Sequence, residues 1–196
     1  MRDDRSTRVL LRFWGRVRSS LFLLPAWFAP HTRLRVAFHR LRGVDIGKNV
    51  EIGYGCWLGG VRPSHVHIED NVTIAGASVV LDHDYAYKYT FGGSAVYGDV
   101  YVREGSFIGM NSVIYPGVEI GPRAIIGALS FVKSSIPPHC VAAGQPATVR
   151  KRVSQSRRAD ESQVPDIPAH VKTATSARQS DKPKHSGKVT GFVAQR

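Results

Sequence analysis

The stretch VYGDVYVREGSFIGMNSVIYPGVEIGPRAIIGALSFV (Val96–Val132) returns an aliphatic residue at every sixth position: Val96, Val102, Ile108, Ile114, Ile120, Ile126 and Val132. A glycine or another small or polar residue often follows directly, as in IGMNSV, IGPRAI and IGALSF. The fifth residue of each unit is small or β-branched: Val100, Ser106, Ser112, Val118, Ala124 and Ser130. Such a period fits neither the turn of an amphipathic helix nor the two-residue alternation of a strand. It fits a triangular coil in which each unit supplies one short strand and one corner. The aliphatic and the fifth residue point inward, and the glycine eases the corner through positive φ or tight packing. Three units make one turn of a parallel β-helix, and stacked turns bury the aliphatic ladder while pairing backbone between coils.

The same grammar runs upstream through IGKNVE, IGYGCW and LGGVRP (Ile46, Ile52, Leu58) and through IEDNVT, IAGASV and VLDHDY (Ile68, Ile74, Val80). It breaks phase twice. Leu58 to Ile68 is ten residues, four beyond one unit, with the excess around PSHV; Val80 to Val96 is sixteen, four beyond two units. A loop extruded at a corner leaves the bonding between coils intact, and such loops are where function concentrates. The second break contains Asp82-His83-Asp84, then Tyr85, Tyr87, Tyr89 and Phe91 in alternation.

Charge divides the chain further. The formal net charge is +12, and residues 1–42 carry ten Lys or Arg against two acids, residues 43–152 nine against nine, and residues 153–196 eight against four. A neutral repeat region excludes a fold whose whole surface grips nucleic acid, and no specific nucleic-acid partner is expected. The two cysteines, Cys56 and Cys140, are far apart with no CxxC or Cys/His spacing, which fits a reducing compartment. The longest N-terminal apolar run, LFLLPAWFA (21–29), has nine residues and cannot span a bilayer. Arginines interrupt each candidate signal-peptide core upstream, so the expectation is a cytoplasmic chain, or one peripheral at the inner face of the membrane.

Residues 7–24 place Leu10, Phe13, Trp14, Val17, Leu21 and Leu24 at helical spacing, with Arg8, Arg12 and Arg16 on another side. Two readings stand: a helix capping the open edge of the first coil, or a basic amphipathic helix lying on an anionic membrane surface. After Arg152 the hexad grammar ends, and the Ser-, Lys-, Gln- and Pro-rich remainder reads as disordered. The expected organisation is an N-terminal cap or membrane-surface segment (1–42), a β-helix (43–152) and a basic tail (153–196).

Over about residues 43–152 the sequence resembles the hexapeptide-repeat acyltransferases. These include serine, maltose and galactoside acetyltransferases and bacterial polysaccharide O-acetyltransferases. Two pieces carry the likeness: IGMNSVIYPGVEIGPRAIIGALSFVKSSIPPHCVAAGQPATVRK, similar to the family's last coils and its closing IPP...AAGxPA signature, and LDH at 81–83, similar to the segment holding the family's catalytic histidine. The resemblance implies left-handed coiling, an all-β fold, a homotrimer, and acyl transfer from acetyl-CoA to a hydroxyl of a sugar or lipid-linked sugar acceptor. His83 falls on the general base, whose imidazole takes the acceptor's proton and passes it to the departing thiolate. Asp82 falls on its carboxylate partner. Neighbouring residues on a strand point to opposite faces, however, so neither Asp82 nor Asp84 need touch the ring.

For coenzyme A the resemblance implies Gly109 and Met110 at mid-coil, Ala128 at a small corner position, Lys133 and Ser134 near the diphosphate, and Arg150 and Lys151 near the adenosine. Met110 stands where a small polar residue is common, and Lys133 lies one place early. His65, Asp84, Tyr85 and Tyr87 are the acceptor-side candidates. His65 precedes His83 by eighteen residues at the same hexad phase, so the two are expected to stack on neighbouring coils, with His67 on the strand face of His65. Stacked histidines also resemble the gamma-class carbonic anhydrases, where three ligands and an open position hold a metal. Their spacing differs from the one here and the AAGQPA ending favours the acyltransferase, so no metal is expected. A non-catalytic scaffold that binds through its tails is the third alternative.

Overall fold

The computed structural model describes residues 14–15 and 17–153. Part of the amphipathic segment (7–13 and 16) and the tail from 154 onward lie outside them. Residues 45–144 wind into a triangular parallel β-helix whose sides are two- and three-residue strands, with a five-residue strand at the last coil. Among the described residues the first wall stacks Asp45–Ile46, Val66–Ile68, Val100–Val102 and Glu119–Ile120. The second stacks Glu51–Ile52, Thr73–Ile74, Phe107–Ile108, Ile125–Ile126 and Cys140–Gly144, and the third Trp57–Leu58, Val79–Val80, Val113–Ile114 and Phe131–Val132. Registers match hexad to hexad, as in Ile52↔Ile74↔Ile108↔Ile126.

The ladder residues Ile52, Leu58, Ile74, Val80, Val102, Ile108, Ile114, Ile120, Ile126 and Val132 are all buried, each contributing about 1.5–3 kcal/mol. The fifth residues lie beside them, and the serines there bond inward. Ser106 Oγ donates to Gly121 O at 2.8 Å and Ser112 Oγ to Gly127 O at 3.1 Å. Buried hydroxyls with such partners avoid the cost of an unmade bond.

The corners divide the two roles expected of the glycine. Positive φ falls on the third residue after the ladder position, at Asn49, Gly55, Asn71, Ala77, Gly105, Asn111, Gly117, Arg123 and Leu129. The glycine directly after the ladder residue serves close packing: a Cβ on Gly109 would stand 2.4 Å from the Ala128 nitrogen on the next coil.

Two expectations need correction. Val96 belongs to no wall; it is 42% exposed and pairs with Asp84 in an antiparallel two-stranded ribbon, His83–Asp84 with Val96–Tyr97. The chain leaves the coil after Leu81 and rejoins it at Val100, because Val66, His67 and Ile68 pair directly with Val100, Tyr101 and Val102. The coincidence of Val96 with the hexad phase hid the true length of the excursion. The second correction follows: the residue stacked on His65 is Asp99, which forms an ion pair with His65 Nδ1, and not His83.

The open end of the first coil is closed by the N-terminal segment. In the walls, N–H groups of one coil donate to carbonyls of the next: Gly47 N to Ile68 O (2.7 Å), Glu69 N to Val102 O (2.9 Å) and Gly121 N to Ile136 O (2.8 Å). The ladder carbonyls of the first coil, on Ile46, Ile52 and Leu58, have no preceding coil to donate to them, and helix α2 (Thr32–Arg42), which follows α1 (Leu23–Phe28), supplies an arginine to each wall. Arg40 Nε donates to Ile46 O (3.2 Å), Arg35 Nε to Ile52 O (2.7 Å), and Arg42 Nη1 to Leu58 O (3.2 Å) and Nη2 to Gly59 O (2.8 Å). The cap thus lies on 32–42, C-terminal to the segment whose spacing suggested it. Two of its arginines, Arg35 and Arg42, are buried.

His39 is packed in the same cap, with Nδ1 3.1 Å from Arg42 Nη1 and full burial of the side chain. Burial first, then the Arg42 and Arg35 charges, lower its pKa from 6.5 to about 3. Folding therefore holds it neutral while the unfolded chain takes up a proton, so stability contributed by neutral His39 is present above pH 6.5 and is lost as pH falls toward 3. The expected slope approaches about 1.4 kcal/mol per pH unit. Denaturant unfolding from pH 6.5 to 4 checks it: His39→Gln, which keeps an acceptor for Arg42, flattens the slope.

Candidate active site at the break in the coil

Where the chain leaves the third wall, Asp82 turns inward and His83 outward. Asp82 is fully buried, and its carboxylate accepts from Gly60 N (2.9 Å), Val61 N (3.1 Å) and Arg62 N, all on the first, four-residue interruption one coil below. The two phase breaks are therefore one construction: the extra residues after Leu58 clasp the carboxylate at the start of the longer excursion. Burial pushes the Asp82 carboxyl up, but the N–H groups of Gly60 and Arg62 and the bond to His83 outweigh it and hold the group below the usual carboxylate range.

His83 Nδ1 lies 2.7 Å from Asp82 Oδ1. Because Asp82 is an acceptor, Nδ1 carries the proton and Nε2 holds the free lone pair, the tautomer that a general base requires. Tyr85 flanks the ring at a centroid distance of 4.5 Å and Tyr97 at 6.3 Å, and the two tyrosine hydroxyls meet at 2.8 Å. The imidazole is thus oriented by a buried carboxylate and walled by aromatic faces, while its side chain retains 19% exposure.

The excursion itself is more ordered than the alternating aromatics suggested. Residues Ala86–Phe91 form helix α3, closed by Gly92 at φ 70°. The aromatics pack at helical spacing, Tyr85 with Tyr89 at 5.5 Å and Tyr87 with Phe91 at 5.7 Å. Asp84 ties this helix to the coil: Ala86 N donates to Oδ1 at 2.7 Å and the Tyr115 hydroxyl donates to Oδ2. The bond to Tyr115 lowers the Asp84 pKa and raises that of Tyr115 to about 12. Both Asp84 oxygens are committed within the chain, so its geometry is that of a loop anchor. Tyr85 remains at the His83 ring and Tyr87 stands exposed on α3.

The three histidines do not converge. His65 pairs with Asp99, His67 Nδ1 with Asp45 Oδ2 at 3.1 Å, and His83 with Asp82. Among the described residues no group of three His, Cys, Asp or Glu side chains is placed to hold a metal ion.

The residues assigned to coenzyme A fall on two corners. Gly109, Met110 and Ala128 share the corner between the second and third walls, with Leu129 N donating to Met110 O at 2.9 Å. Lys133 and Ser134 follow Val132 on the third wall, and Ile114↔Val132 and Val80↔Ile114 place them on the corner that His83 occupies. Arg150 and Lys151 lie on the exposed return strand Ala147–Arg152, antiparallel to Cys140–Gly144.

Sequence reasoning missed Gly60, Val61, Arg62, Tyr97 and Tyr115. Their signal was the four-residue excess after Leu58, which was read as a tolerated insertion and not as a partner of the second break.

The description "Bacterial transferase hexapeptide (six repeats)" matches residues 99–134. The galactoside O-acetyltransferase of Escherichia coli (strain K12) is 32% identical over 131 residues, 66% of this chain and 62% of that protein. The galactoside O-acetyltransferase of Lactococcus lactis is 31% identical over 120 residues, 56% of each. The chain thus spans a little over half the length of these curated relatives. In fold it is similar to a hexapeptide-repeat-containing acetyltransferase from Vibrio cholerae, at TM-score 0.61 and 20% identity over 74% of this chain and 93% of that one. That enzyme has also been solved with acetyl coenzyme A. By repeat and by fold the chain is similar to the hexapeptide-repeat acetyltransferases.

Gly60 tests the geometry of the clasp. A Cβ there would stand 3.2 Å from Trp57 Nε1 and 3.3 Å from His83 Cε1. Gly60→Ala is expected to cost about 1–3 kcal/mol and to move the His83 Cε1–H resonance, leaving the His139 resonance in place; two-dimensional NMR of the histidine ring protons reads both.

Proposed function

We propose that the protein is a CoA-dependent O-acetyltransferase in which His83 is the general base and Asp82 its positioning partner. The carrying observation is the Asp82–His83 pair at 2.7 Å, its carboxylate buried and clasped by backbone N–H groups at the break in the coil. An acceptor hydroxyl loses its proton to His83 Nε2 as its oxygen attacks the thioester carbonyl. The tetrahedral intermediate collapses with cleavage of the C–S bond, and the imidazolium returns the proton to the thiolate, leaving an acetyl ester and CoA–SH. Asp82 stabilises the imidazolium without itself taking the proton.

The donor assignment rests on the family's use of acetyl-CoA. Gly109, Met110 and Ala128 line one edge of the triangular coil, and His83, Lys133 and Ser134 another, so a slot bounded by both edges draws them from two neighbouring subunits. This supports a homotrimer, as does the column of Phe107 and Ile125, paired in register on the second wall and each about two-fifths exposed. Arg150 and Lys151 extend the slot at its C-terminal end toward the adenosine phosphates.

The acceptor is a sugar of a surface polysaccharide or of its lipid-linked precursor, taken up at the inner face of the membrane. Trp14, Val17, Leu21, Leu24 and Phe28 are all 40% exposed or more and recur at three- and four-residue steps, an apolar stripe suited to lie in a lipid surface. No helix among the described residues is long and apolar enough to cross a membrane.

Two measurements check these readings. With acetyl-CoA and a panel of sugar acceptors, His83→Ala is expected to lower kcat/KM by about 10²–10⁴-fold, and Asp82→Asn to lower it as well by removing the tautomer-fixing acceptor; equal turnover by wild type and His83→Ala removes His83 from the base role. In flotation with anionic phospholipid vesicles the full chain is expected to rise with the lipid, and Trp14→Glu combined with Leu21→Glu to remain in the dense fraction.

A further inference from the structure

Beside the His83 ring lies a pocket of about 780 Å³, bounded by Gly15, Arg18, Ser19 and Ser20 of the N-terminal segment, the end of the cap helix and the clasp at 60–65. Two of its lining residues, Gly60 and Tyr85, also flank His83. The charged residues of its lining are Arg18, Arg42 and Arg62, joined by His65, and among the described residues no carboxylate lines it. Arg42 is spent on the carbonyls of Ser19, Leu58 and Gly59 and on His39. Arg18 and Arg62 differ. Among the described residues neither forms an ion pair with a carboxylate, and the Arg62 guanidinium lies over the Tyr97 ring at 4.3 Å.

A pocket built for a neutral sugar needs acceptors for hydroxyl protons, from carboxylates and amides. This one offers guanidinium donors, with Ser19, Ser20 and Ser64 in the same lining. Planar guanidinium forks match phosphate oxygens, and charge-assisted bonds of this kind are about twice as strong as neutral ones. The pocket also opens against the segment that carries the apolar stripe, so a group held there sits between the base and the face presented to lipid.

Resting on the acetyltransferase reading above, we propose that the acceptor is a phosphorylated sugar, whose phosphate or diphosphate is held by Arg18 and Arg62 while a ring hydroxyl faces His83. The two sources of that chemistry are a soluble sugar phosphate and a lipid-linked sugar diphosphate.

The test uses the purified full chain and separates binding from turnover. Calorimetry with inorganic pyrophosphate as probe is expected to show binding by wild type, weakened about tenfold or more in Arg18→Gln and in Arg62→Gln, with Arg62→Lys restoring part of it. In turnover with acetyl-CoA, the ratio of kcat/KM for a hexose 1-phosphate to that for the methyl glycoside of the same hexose is expected to fall by a similar factor in both glutamine variants. A third arm supplies a polyprenyl-diphosphate-linked sugar in vesicles: higher efficiency there than with the hexose 1-phosphate assigns the lipid-linked source, and equal or lower efficiency assigns the soluble one. Unchanged pyrophosphate binding in both glutamine variants overturns the proposal, as does a rise confined to the KM of acetyl-CoA, which assigns the arginines to the donor. Binding that depends on Arg18 and Arg62 without turnover of any acceptor keeps the anion site and removes the transferase reading.

Discussion

The carbonyl of each ladder residue faces the coil before it and accepts an N–H from there, as Ile68 O does from Gly47 N and Ile74 O from Gly53 N. Every coil but the first has its ladder carbonyls satisfied by its predecessor, and the structure is organised around that deficit. An unpaired buried carbonyl costs on the order of a net hydrogen bond or more. Helix α2 answers it with Arg40, Arg35 and Arg42, one to a wall, and Arg42 carries the cap as far as Gly59, the residue before the clasp of Asp82. Cap and candidate site are therefore contiguous, joined through the turn at 59–62.

The same constraint explains how an excursion of this length is tolerated. Neighbouring coils pair strand to strand, and the corner contributes little to the ladder, so the chain can leave after Leu81 and return at Val100 with Val66–Ile68 still in register. What the corner does require is a partner for the buried Asp82 carboxylate, and the coil below supplies it through three consecutive N–H groups. The rigidity that catalysis asks of an oriented imidazole comes from this backbone clasp, since a carboxylate held by main-chain donors has little rotational freedom left.

Much of the frame was legible because a six-residue period has few structural solutions, and the ladder and the small fifth residues are where it puts them. The errors arose where local pattern and long-range pairing compete. Val96 satisfied the hexad rule and lies outside the coil, since phase alone does not reveal where a strand re-enters. The stacking of His65 with His83 failed for the same reason; Asp99 fills that register. Helix α3 was hidden by aromatics that alternate in sequence yet pack at helical steps around Gly92. The cap arginines went unread because arginine is rarely buried without a partner, and backbone carbonyls at the end of a coil are partners that no sequence pattern announces. The pairing of Asp82 with His83 was implied by the likeness of LDH to the acyltransferase segment; the clasp that holds Asp82 was not, because its residues carry only backbone groups to the task.

A solenoid with a bare end is a template on which a second molecule can add, coil upon coil, into fibres. Face-to-face sheets and unpaired edges invite this wherever they are flat and unguarded. The three arginines of α2 act here as a terminator: with their guanidinium groups already bonded to the first coil, the surface that a neighbouring chain would need for end-to-end growth is occupied by a helix whose outward side bears no strand edge. At that end a second chain finds no bare coil to extend.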